Sequence, residues 1–178
     1  MRERHTSGMG HVVLVGLMGS GKTTVGAAVA AALGVPHRDS DPDIERETSL
    51  TARALAARDG IDALHALEAR QLLDALQEPA PTVISAAAST LDDPACRRAL
   101  REPAHLVVWL RADPAVLAAR LQHDDHRPDL GADLDEVITR QAVDRDGPLH
   151  EVADLTLDAT APPAGIVAAV VAHARTVR

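Results

Sequence analysis

Residues 16–23 read Gly16-Leu17-Met18-Gly19-Ser20-Gly21-Lys22-Thr23, the G-x-x-x-x-G-K-[ST] spacing of a phosphate-binding loop. Glycines at that spacing let successive main-chain N–H groups curl around an anion, and a compact ammonium reaches between the β- and γ-phosphates. A threonine hydroxyl in the last position suits Mg²⁺, which assigns Thr23 to the metal and Gly19, Ser20, Gly21, Lys22, Thr23 and Thr24 to ATP. Of the 18 Lys and Arg residues, Lys22 is the only lysine. A planar guanidinium is bulkier and does not replace an ammonium freely in such a loop, so the exception falls where the chemistry requires it. A second pair of candidates is Asp39 and Asp41 in Asp39-Ser40-Asp41. Two carboxylates two apart on an extended segment point to the same side. One of them would hold Mg²⁺, through water, while the other accepts the proton of an attacking hydroxyl. The competing reading is an acidic N-cap for the helix that follows.

These residues must be positioned by their neighbours. His11-Val12-Val13-Leu14-Val15 is a short, β-branched apolar run of the kind a buried parallel strand needs. The Ala/Val-rich stretch 22–33 reads as a helix stopped by Gly34. Strand, glycine loop, helix is the order a phosphate loop requires. Further apolar runs at 35–38, 81–85, 105–110 and 153–157 alternate with helical patterns near 42–48, 51–59, 61–77, 93–101, 113–122, 133–146 and 163–176. That alternation predicts an α/β fold, a doubly wound P-loop NTPase-type parallel sheet of five strands with helices on both faces. Asp93-Pro94 and Asp113-Pro114 read as N-cap followed by proline in the first helical position. The polar segment 123–133 carries Pro128 and Gly131 between two helices and reads as a lid. Residues 1–10 read as a flexible tail and 11–178 as a single P-loop domain.

Composition narrows the function classes. A formal charge of −8 with no basic run is unsuited to nucleic acid or a membrane surface. Phe and Tyr are absent and Trp109 is the lone Phe/Trp/Tyr ring, which also argues against the aromatic stacking that single-stranded nucleic acid needs. Trp109, on an apolar strand, reads as core. One cysteine, Cys96, excludes an internal disulfide and fits a reducing cytoplasm. No stretch reaches transmembrane length. The expected partner is a small-molecule hydroxyl acceptor, and the expected state a monomer or weak homodimer.

In sequence the chain resembles the shikimate kinase family. Residues 14–26 match that family's opening almost residue for residue, and Asp39-Ser40-Asp41 with Ile44-Glu45 resembles its D-x-D-x-x-I-E block. Asp59-Gly60 with Leu67-Glu68, Val83-Ile84-Ser85 with Asp93-Pro94, Arg127-Pro128, and Pro148-Leu149 with Glu151-Val152-Ala153-Asp154 follow in the family's order, over about residues 11–175. The resemblance implies an ATP- and Mg²⁺-dependent kinase with the strand order of nucleoside monophosphate kinases. It implies that Arg120 lies along the adenine, that Arg127 on the lid closes over the transferring phosphoryl group, and that Arg145 reaches a substrate carboxylate. It also implies that Asp39 lies near the metal and that Asp41 grips a substrate hydroxyl as its base, so that Lys22, Asp41 and Arg127 would be the catalytic groups.

The departures cluster on the acceptor side. The family's Phe-Arg pair is Leu64-His65, its Gly-Gly-Gly slot is Ala87-Ala88-Ser89, its P-L-Y tyrosine is His150, and Arg145 stands one residue further from Pro148. Asp41, His65, Ala87, Ala88 and Arg145 are therefore the expected acceptor contacts, with an acceptor other than shikimate open. Glu68 reads either as orienting a neighbouring arginine or as a surface charge. Two rival functions remain at this point: a nucleotide-binding module without catalysis, and a nucleoside kinase.

Overall fold

The computed structural model describes residues 10–121 and 133–176. Five parallel strands, β1 (Val12–Val15), β2 (His37–Asp39), β3 (Val83–Ser85), β4 (Leu106–Arg111) and β5 (Leu155–Asp158), form one sheet in the order β2-β3-β1-β4-β5. Register is set from the centre outward: Val12 pairs with Val83 on one side and Leu106 on the other. β1 is buried at all four positions, as a central parallel strand covered on both faces must be.

Because side chains alternate along a strand, β1 feeds two cores. Val12 and Leu14 pack with Val25, Val29 and Ala30 of α1 (Lys22–Leu33) and with Ile166 and Val170 of α8 (Pro163–Thr176). Val13 and Val15 point the other way, toward α4 (Ile61–Leu76), α5 (Pro94–Leu100) and α7 (Leu134–Val152), through Leu72, Leu100, Leu149 and others. Trp109 and Cys96 are both buried in this second core, as expected of them; burial pushes the Cys96 thiol up to about 11, so it is an inert filler. A smaller cluster of Ile44, Ala52, Leu55 and Leu64 joins α2 (Ser40–Thr48), α3 (Ala52–Asp59) and α4 away from the sheet. The remaining helix, α6 (Pro114–Leu121), packs Leu117 and Ala118 against Leu17 and Ile138.

The capping reading holds in detail. Asp93 accepts from the N–H groups of Ala95 and Cys96, with Pro94 in the first turn, and Asp113 accepts from Ala115 N–H at 2.9 Å. Gly34 ends α1 in the left-handed region, φ 70°. Among the differences from expectation, two bear on the site. Helix α7 does not stop near 146 but runs through Pro148 to Val152; burying Leu149 and Val152 against the sheet outweighs the hydrogen bond that proline removes. Before α5, residues Ala88–Asp92 form a 3-10 turn, a one-turn element too short for a periodic signal.

Candidate functional site

The phosphate loop joins β1 to α1. Gly19 and Gly21 have φ of 78° and 87°, a region that side chains rarely enter. Gly21 is the N-cap of α1 with no side-chain cap, so the first N–H groups of that helix face the loop, where an anion is favoured. Lys22 Nζ donates to the carbonyls of Gly16 at 2.8 Å and Leu17 at 3.0 Å, arching back over the loop. Ser85 at the end of β3 fixes the helix start: its hydroxyl donates to Lys22 O at 3.0 Å and lies 2.9 Å from His37 Nε2. Gly26 permits this approach, because a Cβ there would fall 2.5 Å from both His37 Nε2 and Ser85 Oγ. Its place in a helical pattern marks it only as a weak point; its packing reason is visible only in three dimensions.

A pocket of about 320 Å³ opens beside the loop. Gly19, Gly21, Lys22, Thr23 and Thr24 line one end; Asp39, Ser40 and Asp41 line the side. Residues 64, 65 and 68 of α4, the Ala86–Ser89 segment and, from α7, Gln141 and Arg145 line the rest. Of the expected residues, therefore, the ATP-side glycines, Lys22, Thr23, Thr24, Asp39, Asp41, His65, Ala87, Ala88 and Arg145 meet in one cavity. Ser20 is buried beside it, its hydroxyl without a hydrogen-bond partner. Arg127 and the rest of 122–132 lie outside the described residues. A larger groove, about 780 Å³, runs along β4, β5 and α7 and shares none of these groups.

Asp39 and Asp41 are not two positions on one extended strand. Asp39 ends β2 with extended φ and ψ and caps α2, its side chain accepting from Asp41 N–H at 3.3 Å, while Asp41 sits in the first helical turn. Asp39 is thus an N-cap, as the competing reading has it, and also lines the pocket. Its Oδ2 is buried and has no hydrogen-bond partner.

Arg120, expected along the adenine, bridges two loops: its guanidinium donates to Gly19 O and to Ala159 O, each at 3.1 Å. It ties the phosphate loop to the turn after β5. Arg145 is buried and donates through Nε at 3.0 Å and Nη2 at 2.5 Å to the two carboxylate oxygens of Asp92, at the end of the 3-10 turn. His150 turns away from the pocket and meets the edge of Trp109, centroids 5.0 Å apart. Burial, then the nearby Arg145 charge, pushes the His65 imidazole below its ordinary value.

Glu68 is neither a surface charge nor paired with an arginine. It is 8% exposed and accepts a hydrogen bond from the Ser89 hydroxyl. Burial raises its carboxyl to about 7, with the Asp41 charge adding to the rise and the Ser89 bond opposing it. Glu68, Ser89 and Gln141 line the pocket and were not assigned by sequence reading, nor was Asp92, which does not line it but pairs with Arg145. Glu68 and Ser89 carried a faint signal, since both stand in segments aligned with the family; Asp92 and Gln141 carried none.

A family model described as shikimate kinase matches residues 18–175. The chain belongs to the shikimate kinase family. The shikimate kinase of Cereibacter sphaeroides is 37% identical over 147 residues, 83% of this chain and 73% of that protein. The one from Ruegeria pomeroyi is 39% identical over 144 residues, 81% and 73% of the two chains. Among solved structures, the shikimate kinase from Acinetobacter baumannii in complex with shikimate superposes with a TM-score of 0.81 at 26% identity, covering 96% of this chain and 92% of that one. A shikimate kinase-family chain is an ATP-using phosphotransferase with an alcohol group as acceptor. No helix among the described residues is long and apolar enough to cross a membrane.

Proposed function

We propose that this shikimate kinase-family enzyme transfers the γ-phosphoryl group of ATP to a hydroxyl of a small cyclic polyol, shikimate or a close analogue, in the pocket where the phosphate loop and Asp41 face one another. The observation that carries the reading is that shared cavity: Lys22, Thr23 and Asp41 line it together. A triphosphate entering the loop would draw the Lys22 ammonium from the Gly16 and Leu17 carbonyls toward its β- and γ-oxygens. The acceptor oxygen forms a bond to Pγ as the bond from Pγ to the β-bridging oxygen breaks. ADP leaves, and the hydroxyl proton passes to the Asp41 carboxylate. Little covalent chemistry is asked of the protein, so positioning and charge stabilisation dominate. Arg127 would add positive charge from the lid, and Arg120 would form one wall of the nucleotide site.

Mg²⁺ fits the donor set. Asp39 Oδ2, buried without a hydrogen-bond partner and 4.0 Å from His37 Nε2, and the Thr23 hydroxyl are hard oxygen ligands. Among the described residues no group of three or more His, Cys, Asp or Glu could hold a metal. Such a cation would therefore take its other ligands from phosphate and water, which is Mg²⁺ chemistry. When bound, it neutralises phosphate charge. Residues 11–178 act as one kinase domain, in the reducing cytoplasm that Cys96 and ATP supply suit, as a monomer or weak homodimer.

Steady-state ADP release with Mg²⁺-ATP and a panel of cyclic polyols and polyol acids tests the reading. Saturable, acceptor-dependent release is expected. Nucleotide binding without release for any acceptor would leave only a binding module.

A further inference from the structure

Building on this kinase reading, we infer that the acceptor is a polyhydroxylated compound without a carboxylate, because both positions that would grip one are disabled in the pocket. The first is His65, a partly buried imidazole on α4 where the resembling family carries an arginine. The second is Arg145. Its guanidinium lines the pocket, but Nε and Nη2, the side-on one of its two bidentate faces, are engaged by both oxygens of Asp92. Fork-to-fork pairing is the geometry by which arginine recognises a ligand carboxylate. A carboxylate arriving here would meet a guanidinium whose charge is already matched and whose side-on face is covered, leaving only the end-on Nη1 side.

The rest of the acceptor half points the same way. Among the described residues, the ionisable groups lining the pocket are Lys22, Asp39, Asp41, His65, Glu68 and Arg145. Lys22 and Asp39 belong to the phosphate loop end. The described groups that face the acceptor are then Asp41, Glu68, His65 and an Arg145 whose charge Asp92, outside the lining, offsets, a set with no net positive charge. Burial and Arg145 push the imidazole toward neutrality, and burial holds the Glu68 carboxyl near 7. Carboxyls, an imidazole, the Ser89 hydroxyl and the Gln141 amide, whose Oε1 is buried without a partner, are hydrogen-bonding groups for hydroxyls. A site built to bond hydroxyls and lacking a countercharge disfavours a charged acid, whose desolvation would go uncompensated.

The test uses the full chain with Mg²⁺-ATP and three matched pairs: shikimate and its hydroxymethyl analogue, gluconate and glucitol, glucuronate and glucose. The neutral member of whichever pair is turned over should have at least tenfold higher kcat/KM. Equal or better use of the acid would overturn the inference while leaving the kinase reading intact. Nucleotide binding with no turnover of any of the six would overturn the kinase reading beneath it. A second arm changes Asp92→Asn, which keeps the shape but releases the guanidinium. KM for the acid member should fall about tenfold, with KM for the neutral member unchanged. An unmoved acid KM, in a variant with wild-type melting behaviour, would show that Asp92 does not set this preference and overturn the argument from Arg145.

Discussion

The two ends of the pocket are made of different materials. The nucleotide end is main chain: glycines in left-handed conformations and open N–H groups at the start of α1, seated directly on the central strand of the sheet. Lys22 there is held by backbone carbonyls. The acceptor end is side chain: groups from α2, α4, the 3-10 turn and α7, carried partly on the small cluster of Ile44, Ala52, Leu55 and Leu64 rather than on the sheet. Main-chain geometry tolerates little change without losing the anion site, whereas a side-chain pocket is re-specified by single substitutions. The departures from the family pattern at residues 64–65, 87–89 and 145 fall entirely on the second kind of surface.

That contrast is breakable. The largest effect should come from Lys22→Met, which removes the positive charge at the transferring group: ADP release should fall about 10³-fold, with nucleotide affinity, read by calorimetry, falling too. Asp41→Asn should lower kcat about 10²-fold and leave nucleotide affinity within about twofold. If Asp41→Asn weakened ATP as much as Lys22→Met, the two ends would not be separable. Gly26→Ala tests whether the nucleotide end depends on close packing. The new methyl collides with His37 and Ser85, and chemical denaturation should show a loss of about 1–3 kcal/mol; an unchanged midpoint would refute the crowding argument.

Glu68→Gln is read as a dependence on pH and not as a single loss. The folded carboxyl titrates at about 7, above its ordinary 4.5. The stability it contributes is therefore complete below about pH 4.5 and lost as pH rises through 7. A rise of that size corresponds to roughly 3 kcal/mol. His37, His65 and His105, all pushed below their ordinary value by burial, act in the opposite direction. The informative quantity is thus the difference between wild type and Glu68→Gln from pH 5 to 8, which should shift steadily in the variant's favour as pH rises. A constant difference would mean that Glu68 is ionised throughout.

The same contrast explains what was legible. The strands, the loop and most helix starts were readable because their determinants are local: the apolar run at 12–15, the glycine spacing, Asp93-Pro94, Gly34. The end of α7 was not, because the local signal, Pro148, was overruled by the distant burial of Leu149 and Val152. Asp41 lines the pocket, but from the first turn of a helix and not from an extended segment, since α2 begins two residues earlier than its pattern suggested. Asp92 and Glu68 escaped because their partners, Arg145 and Ser89, are 53 and 21 residues away, and no spacing rule connects them.

The solitary Lys22 has a practical consequence. Protein grown with isotope-labelled lysine would show a spectrum from one residue alone, sited in the loop proposed to bind the donor nucleotide. Occupancy of the loop, and the exchange of its ammonium between carbonyl and phosphate oxygens, could then be watched in solution without assigning any other signal.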